Sequence, residues 1–182
     1  MRVVTEYDGM RQLVPGKRGT QPLDLTYSDC EVINMMNPMG PPLAAAKIRG
    51  DREHPCLRGM VRFYQMRGSV LITAEISGLP RSGFFAFHIH EGASCGGEGV
   101  PNSAGHYNPT NAQHPDHAGD LPPLLSASGN AYLAVKTDRF SIREIIGRTV
   151  IIHSDPDDFH TQPSGNSGKK IGCGEIYSVC RR

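Results

Sequence analysis

The 182-residue sequence has no tryptophan, and aromatic residues make up only 7% of it. It has almost no net charge, since 19 Lys and Arg against 18 Asp and Glu leave +1. A nucleic-acid binder needs a basic stripe to displace phosphate counterions, so this balance argues against nucleic acid as a partner. No run reaches the roughly 20 consecutive apolar residues of a membrane-spanning helix, so no membrane partner is expected. The opening residues, MRVVTEYDGMRQLVPGKRG, lack the apolar segment of a secretory leader. A cytoplasmic location is therefore favoured, with a periplasmic or secreted one open if a leader is missing. Repeats and low-complexity runs are absent. Cysteines number five, so at least one thiol stays unpaired within the chain or pairs with another molecule.

Glycine (21) and proline (14) are plentiful and point to many turns and long loops. Residues 1–41 show no clear period and read as an N-terminal extension ending in a Pro/Gly hinge, NPMGPP. Residues 42–182 read as the folded domain, long enough to bury a core without help from metal or disulfides. Short runs at 43–49, 57–65, 69–77, 84–90, 130–138, 148–153 and 171–179 have strand character, and LLSAS (124–128) offers an eighth. In SVLITAEIS, Val70, Ile72, Ala74 and Ile76 alternate with Leu71, Thr73 and Glu75, a period of two. Short, regularly spaced strands with Gly/Pro turns predict an all-β fold, an eight-stranded antiparallel Greek-key barrel or sandwich. Residues 91–122 and 154–170 break the rhythm. Loops of this length without secondary structure of their own are usually functional or disordered.

Eight histidines are present, and most lie in these loops or on the strands leading into them. His88 and His90 are two apart on a strand, so they share one face while Phe87 and Ile89 take the other. Such a pair fits a metal edge, and equally an exposed polar face. The segment GHYNPTNAQHPDHAGDL is more specific. His106, His114, His117 and Asp120 supply three imidazoles and one carboxylate, a set suited to closed tetrahedral zinc. A solvated polar loop would have a similar composition. His153 ends the strand VIIH, where it either caps the strand or joins the cluster. His54 and His160 receive no role.

FHIHEG, GHYNP, HAGDL, IIGRTVIIH and GNSGKKIGCG together resemble the copper-zinc superoxide dismutase family, in the family's order, from about residue 42 onward. The resemblance implies copper on His88, His90, His106 and His153, and zinc on His106, His114, His117 and Asp120. His106 would bridge the two ions, which metal–nitrogen bonds of roughly 2 Å would set about 6 Å apart. It further implies that Asp157 links His88 to His114, that Cys95 and Cys173 form a disulfide, and that Arg148 supports the first long loop. The implied substrate is superoxide, turned over by copper redox cycling with His106 as ligand and proton donor. A homodimer is left open.

The sequence departs from the family at Lys170, where the family's active-site arginine would stand; lysine is a compact, mobile point charge rather than a planar fork. The Cys95–His106 segment is longer than usual, and His153–Cys173 shorter. Cys30, Cys56 and Cys180 have no counterpart. A non-enzymatic copper/zinc-binding protein on the same fold is the competing expectation, because fold alone does not fix function. The complete set of copper histidines and the positive charge at Lys170 favour the enzyme.

Overall fold

A computed structural model describes residues 40–97 and 99–179; apart from Gly40 and Pro41, the expected extension lies outside the described residues. Eight strands follow one another: β1 (Ala44–Gly50), β2 (Arg58–Met66), β3 (Ser69–Ser77), β4 (Gly83–His90), β5 (Asp120–Ala127), β6 (Asn130–Thr137), β7 (Thr149–His153) and β8 (Lys170–Ser178). Their order around the sheet is β1-β2-β3-β6-β5-β4-β7-β8, closed by antiparallel pairing of β1 with β8. The expected all-β architecture is thus a closed barrel, which leaves no exposed sheet edge. No helix among the described residues is long and apolar enough to cross a membrane.

Alternation along the strands builds the core. Val70, Ile72, Ala74 and Ile76 of β3 point inward with Ile48, Phe63, Phe85, Phe87, Leu124 and Ile152 from the other strands. Each large apolar side chain buried in this way contributes about 1.5–3 kcal/mol. On β4 every residue from Phe85 to His90 is buried, so both faces of that strand are covered. Phe87 and Ile89 enter the core, and His88 and His90 lie on the opposite face. β7 repeats the arrangement: Val150 and Ile152 face inward, while Ile151 packs outside against Val100 and Cys173.

Two elements differ from the sequence expectation. β5 begins at Asp120, inside the segment read as loop, and runs through Pro122 and Pro123. The prolines are tolerated because the β4–β5 register is irregular there: Phe85 pairs with Leu124 but Phe87 with Leu121. The intervening Ala86 N–H donates instead to Asp155 O at 2.9 Å. A short helix, α1 (Ile142–Ile145), was also unexpected. Its signal is local, since Ser141 and Glu144 form a capping box and Ile142 and Ile145 are buried.

Candidate metal centre

The site lies on the outer face of β4 and β7. β4 delivers His88 and His90, and β7 delivers His153 at its end, where a register irregularity with β8 falls between Ile152 and His153. Irregularities of this kind re-aim a side chain next to a functional site. His106 is brought in by an antiparallel bridge to His90. Tyr107 N–H donates to Ile89 O, Ile89 N–H to Gly119 O, and Gly119 N–H to Tyr107 O, all within 2.8–2.9 Å. This three-way stitch ties β4 to the loop carrying His114, His117 and Asp120. It requires glycine at 119, because a Cβ there would lie 2.3 Å from Ile89 O.

Two four-residue groups of donor atoms result. His88, His90, His106 and His153 form one; His106, His114, His117 and Asp120 form the other; within each, ligand atoms lie within 4.8 Å of one another. All seven residues are buried. In the first group His90 Nε2 and His153 Nε2 are 3.3 Å apart, and the His88 and His106 ring centroids are 4.0 Å apart. In the second, His117 Nδ1 lies 3.4 Å from His106 Nδ1 and 3.3 Å from Asp120 Oδ1. Donors on a tetrahedral zinc with bonds of about 2.0–2.1 Å sit about 3.3 Å apart, so this group needs little movement to take the ion. His88 Nδ1 and His106 Nε2 are buried with no hydrogen-bond partner among the described residues. Buried ring nitrogens left without a partner beside other ligand-type atoms fit metal ligands. His106 therefore turns Nε2 toward one group and Nδ1 toward the other, where Nδ1 is 2.7 Å from Asp120 Oδ1.

The remaining ring nitrogens are held from outside. Asp157 Oδ2 lies 2.8 Å from His88 Nε2, and Oδ1 lies 2.8 Å from His114 Nε2. One carboxylate thus spans both groups and places a proton on each Nε2, leaving each Nδ1 lone pair turned to its group. His90 Nδ1 donates to Ala104 O at 2.9 Å, and His153 Nδ1 lies 3.2 Å from Ser167 Oγ. Burial, reinforced by nearby positive groups, pushes His90 down to about 2 and His153 down to about 3, so both are neutral and able to ligate at pH 7. Burial alone would raise Asp157. Hydrogen bonds from His88, the Phe159 N–H and His114 outweigh it and hold the carboxyl well below its usual range. Replacing Asp157 with Asn should weaken metal binding at both donor groups together, each by about 10–100-fold in chelator competition. Loss of one metal alone would contradict a shared brace.

Several other residues now have positions. Cys95 and Cys173 form a disulfide with Cα atoms 5.7 Å apart, fastening the first long loop to β8. Arg148 donates from Nε to Glu144 O and from Nη1 to Glu91 O, pairs with the Glu91 carboxylate, and lies over the Tyr107 ring. It thereby connects the start of the first loop to the residue following His106. Lys170 stands opposite His153 in the β7–β8 register. Its Nζ donates to Ser103 Oγ at 2.8 Å and to Ala104 O at 2.9 Å, with Val100 O at 3.4 Å. Loop oxygens hold the Lys170 ammonium, and partial burial lowers its pKa. Among the described residues Cys56 is unpaired and exposed, while Cys30 and Cys180 lie outside them. His54 pairs with Asp51, and His160 is exposed.

The sequence reading missed two residues. Gln162 uses its side-chain amide as a peptide would: Oε1 accepts the His114 N–H at 2.9 Å and Nε2 donates to His114 O at 2.7 Å. Gly165 must be glycine, because it has φ +66° and a Cβ there would lie 1.9 Å from Asp157 Oδ1. Nothing near Gln162 in sequence signals its partner 48 residues away. Gly165, within GNSG, carries only the general turn signal.

Fold and site together define a two-metal protein: a closed antiparallel barrel with a histidine-rich dinuclear centre under two loops. The family model for copper/zinc superoxide dismutase matches residues 57–176. The chain is 35% identical over 133 residues to superoxide dismutase [Cu-Zn] 2 of Aquifex aeolicus, covering 65% of this chain and 78% of that protein. It is 36% identical over 159 residues to superoxide dismutase [Cu-Zn] 3 of Arabidopsis thaliana, covering 78% and 94%. A superoxide dismutase [Cu-Zn] of Legionella pneumophila is 35% identical over 130 residues, covering 67% and 79%. The chain belongs to the copper/zinc superoxide dismutase family. Its cofactors are copper and zinc, and it is an oxidoreductase acting on superoxide.

Proposed function

We propose that His88, His90, His106 and His153 hold the copper of this dismutase, and that His106, His114, His117 and Asp120 hold its zinc. The supporting observation is the placement of His106, whose two nitrogens face two separate donor groups while Nε2 is buried and unpartnered. Copper supplies reversible one-electron chemistry there, and zinc, which has no redox chemistry, keeps its ligands in place. Two superoxide anions and two protons yield one oxygen and one hydrogen peroxide. His106 Nε2 is sheltered from bulk water; with copper bound it would serve as a ligand, and when not ligating it would hold a proton for the peroxide product, so this ring would also act as a general acid. Asp157 keeps the His88 and His114 rings in the required tautomers.

Lys170 provides the positive charge for the anionic substrate. A fixed ammonium beside the copper histidines raises the local concentration of a small anion. Lys170→Glu should slow superoxide consumption about tenfold or more at low ionic strength. Lys170→Arg should match or exceed the native rate, since its planar fork adds orientation. Both effects should shrink with added salt as the Debye length falls below about 8–10 Å. A native rate for Lys170→Glu at low salt would remove Lys170 from the active site.

A further inference from the structure

Arg139 lies outside both donor groups, in the connection from β6 to α1. Its position is fixed on both sides. Its own N–H donates to Thr137 Oγ1 at 3.2 Å, and the next residue, Phe140, is buried in the core. From this footing the guanidinium reaches back about 20 residues in sequence. Nη1 lies 3.3 Å from Pro115 O, 3.2 Å from His117 O and 3.3 Å from Asp120 O, and Nη2 lies 3.9 Å from the Asp116 carboxylate.

These acceptors are the carbonyls of two zinc-group residues, His117 and Asp120, and of Pro115, which follows a third, His114. The same stretch is turned so that His117 N–H donates to Asp120 Oδ2 at 3.0 Å and Asp120 N–H donates to His117 O. Carbonyl dipoles converging on one point repel each other unless a cation occupies it, and Arg139 Nη1, whose two N–H donors are shared among the three carbonyls, fills that place. We propose that Arg139 is a positioning residue for the zinc site: by gathering the carbonyls of residues 115, 117 and 120 it holds His114, His117 and Asp120 near their ligating geometry before the ion arrives. The proposal rests on the zinc ligand set assigned above. In energetic terms, part of the ordering of the 114–120 turn is then complete in the metal-free protein, which raises zinc affinity.

The Arg139 side chain is 44% exposed, so its replacement leaves the core intact. Zinc affinity would be measured on the metal-free, disulfide-intact full chain by competition with a chromophoric chelator, for the native protein, Arg139→Gln, Arg139→Lys and Asp120→Ala. Cobalt(II) placed in the zinc site gives a second readout through its visible bands, which report tetrahedral geometry. Arg139→Gln should bind zinc about 10–100-fold more weakly, the range for outer partners of metal ligands, with altered cobalt bands. Arg139→Lys, which keeps the charge, should recover most of the affinity. Native zinc affinity and cobalt bands in Arg139→Gln would overturn the proposal. So would an equal fall in Tm for the metal-free and zinc-loaded forms with unchanged affinity, since that is the mark of a merely structural role. Unchanged zinc affinity in Asp120→Ala would instead show that the ligand assignment is wrong, and would overturn the proposal through that premise.

Discussion

His88→Ala should lose its copper and reduce superoxide consumption to the background rate. His88 belongs to only one of the two donor groups, the proposed copper group, and its Nδ1 is buried with no hydrogen-bond partner among the described residues. Loss of an outer partner of a metal ligand already lowers affinity or activity about 10–100-fold. Removing a direct ligand should exceed that, because the remaining nitrogens of His90, His106 and His153 can no longer close a four-donor set. Zinc should stay near one ion per chain, since His114 keeps its Asp157 contact and none of the zinc group is altered. Elemental analysis and a superoxide-consumption assay on the same preparation would separate the two metals. Full activity in His88→Ala would place the redox centre elsewhere.

Replacing both Cys95 and Cys173 with Ser should lower stability by several kcal/mol and loosen the copper side of the site. The two cysteines are 78 residues apart in sequence, and closing a loop of that size in the unfolded chain corresponds to about 4.5 kcal/mol in the chain-entropy account. For a domain of this size that is a fall in Tm of roughly 10–15 °C. The bond also fixes the segment whose Val100, Ser103 and Ala104 oxygens surround the Lys170 ammonium, and Ala104 O is the acceptor for His90 Nδ1. Copper affinity should therefore fall along with Tm. The Cys95 N–H bond to Glu175 Oε1 and the Lys170 contacts to Ser103 and Ala104 would survive, so the loop would loosen rather than detach. A Tm within about 2 °C of the native value, read by calorimetry, would show that the barrel and its loops do not depend on this bond.

The sequence determined by itself what depends on neighbours a few residues apart. The period of two in β3 and the H-x-H of β4 follow from the alternation of side chains along a strand, and both are read within one segment. Histidine-rich loops stand out because glycine, proline and aspartate are dense around them. The family motifs extended that reading to the ligand sets and to the disulfide. The tertiary structure decided what depends on contacts between distant segments. β5 starts at Asp120 because the β4–β5 irregularity accommodates two prolines that, in sequence, read as loop. Lys170 is anchored by oxygens 66 to 70 residues away, and Gln162 and Arg139 close on the zinc loop from different parts of the chain. Those partners are polar groups whose pairing leaves no periodic trace, because a hydrogen bond across a barrel is specified by where the closed sheet brings two loops together and not by the residues flanking either one.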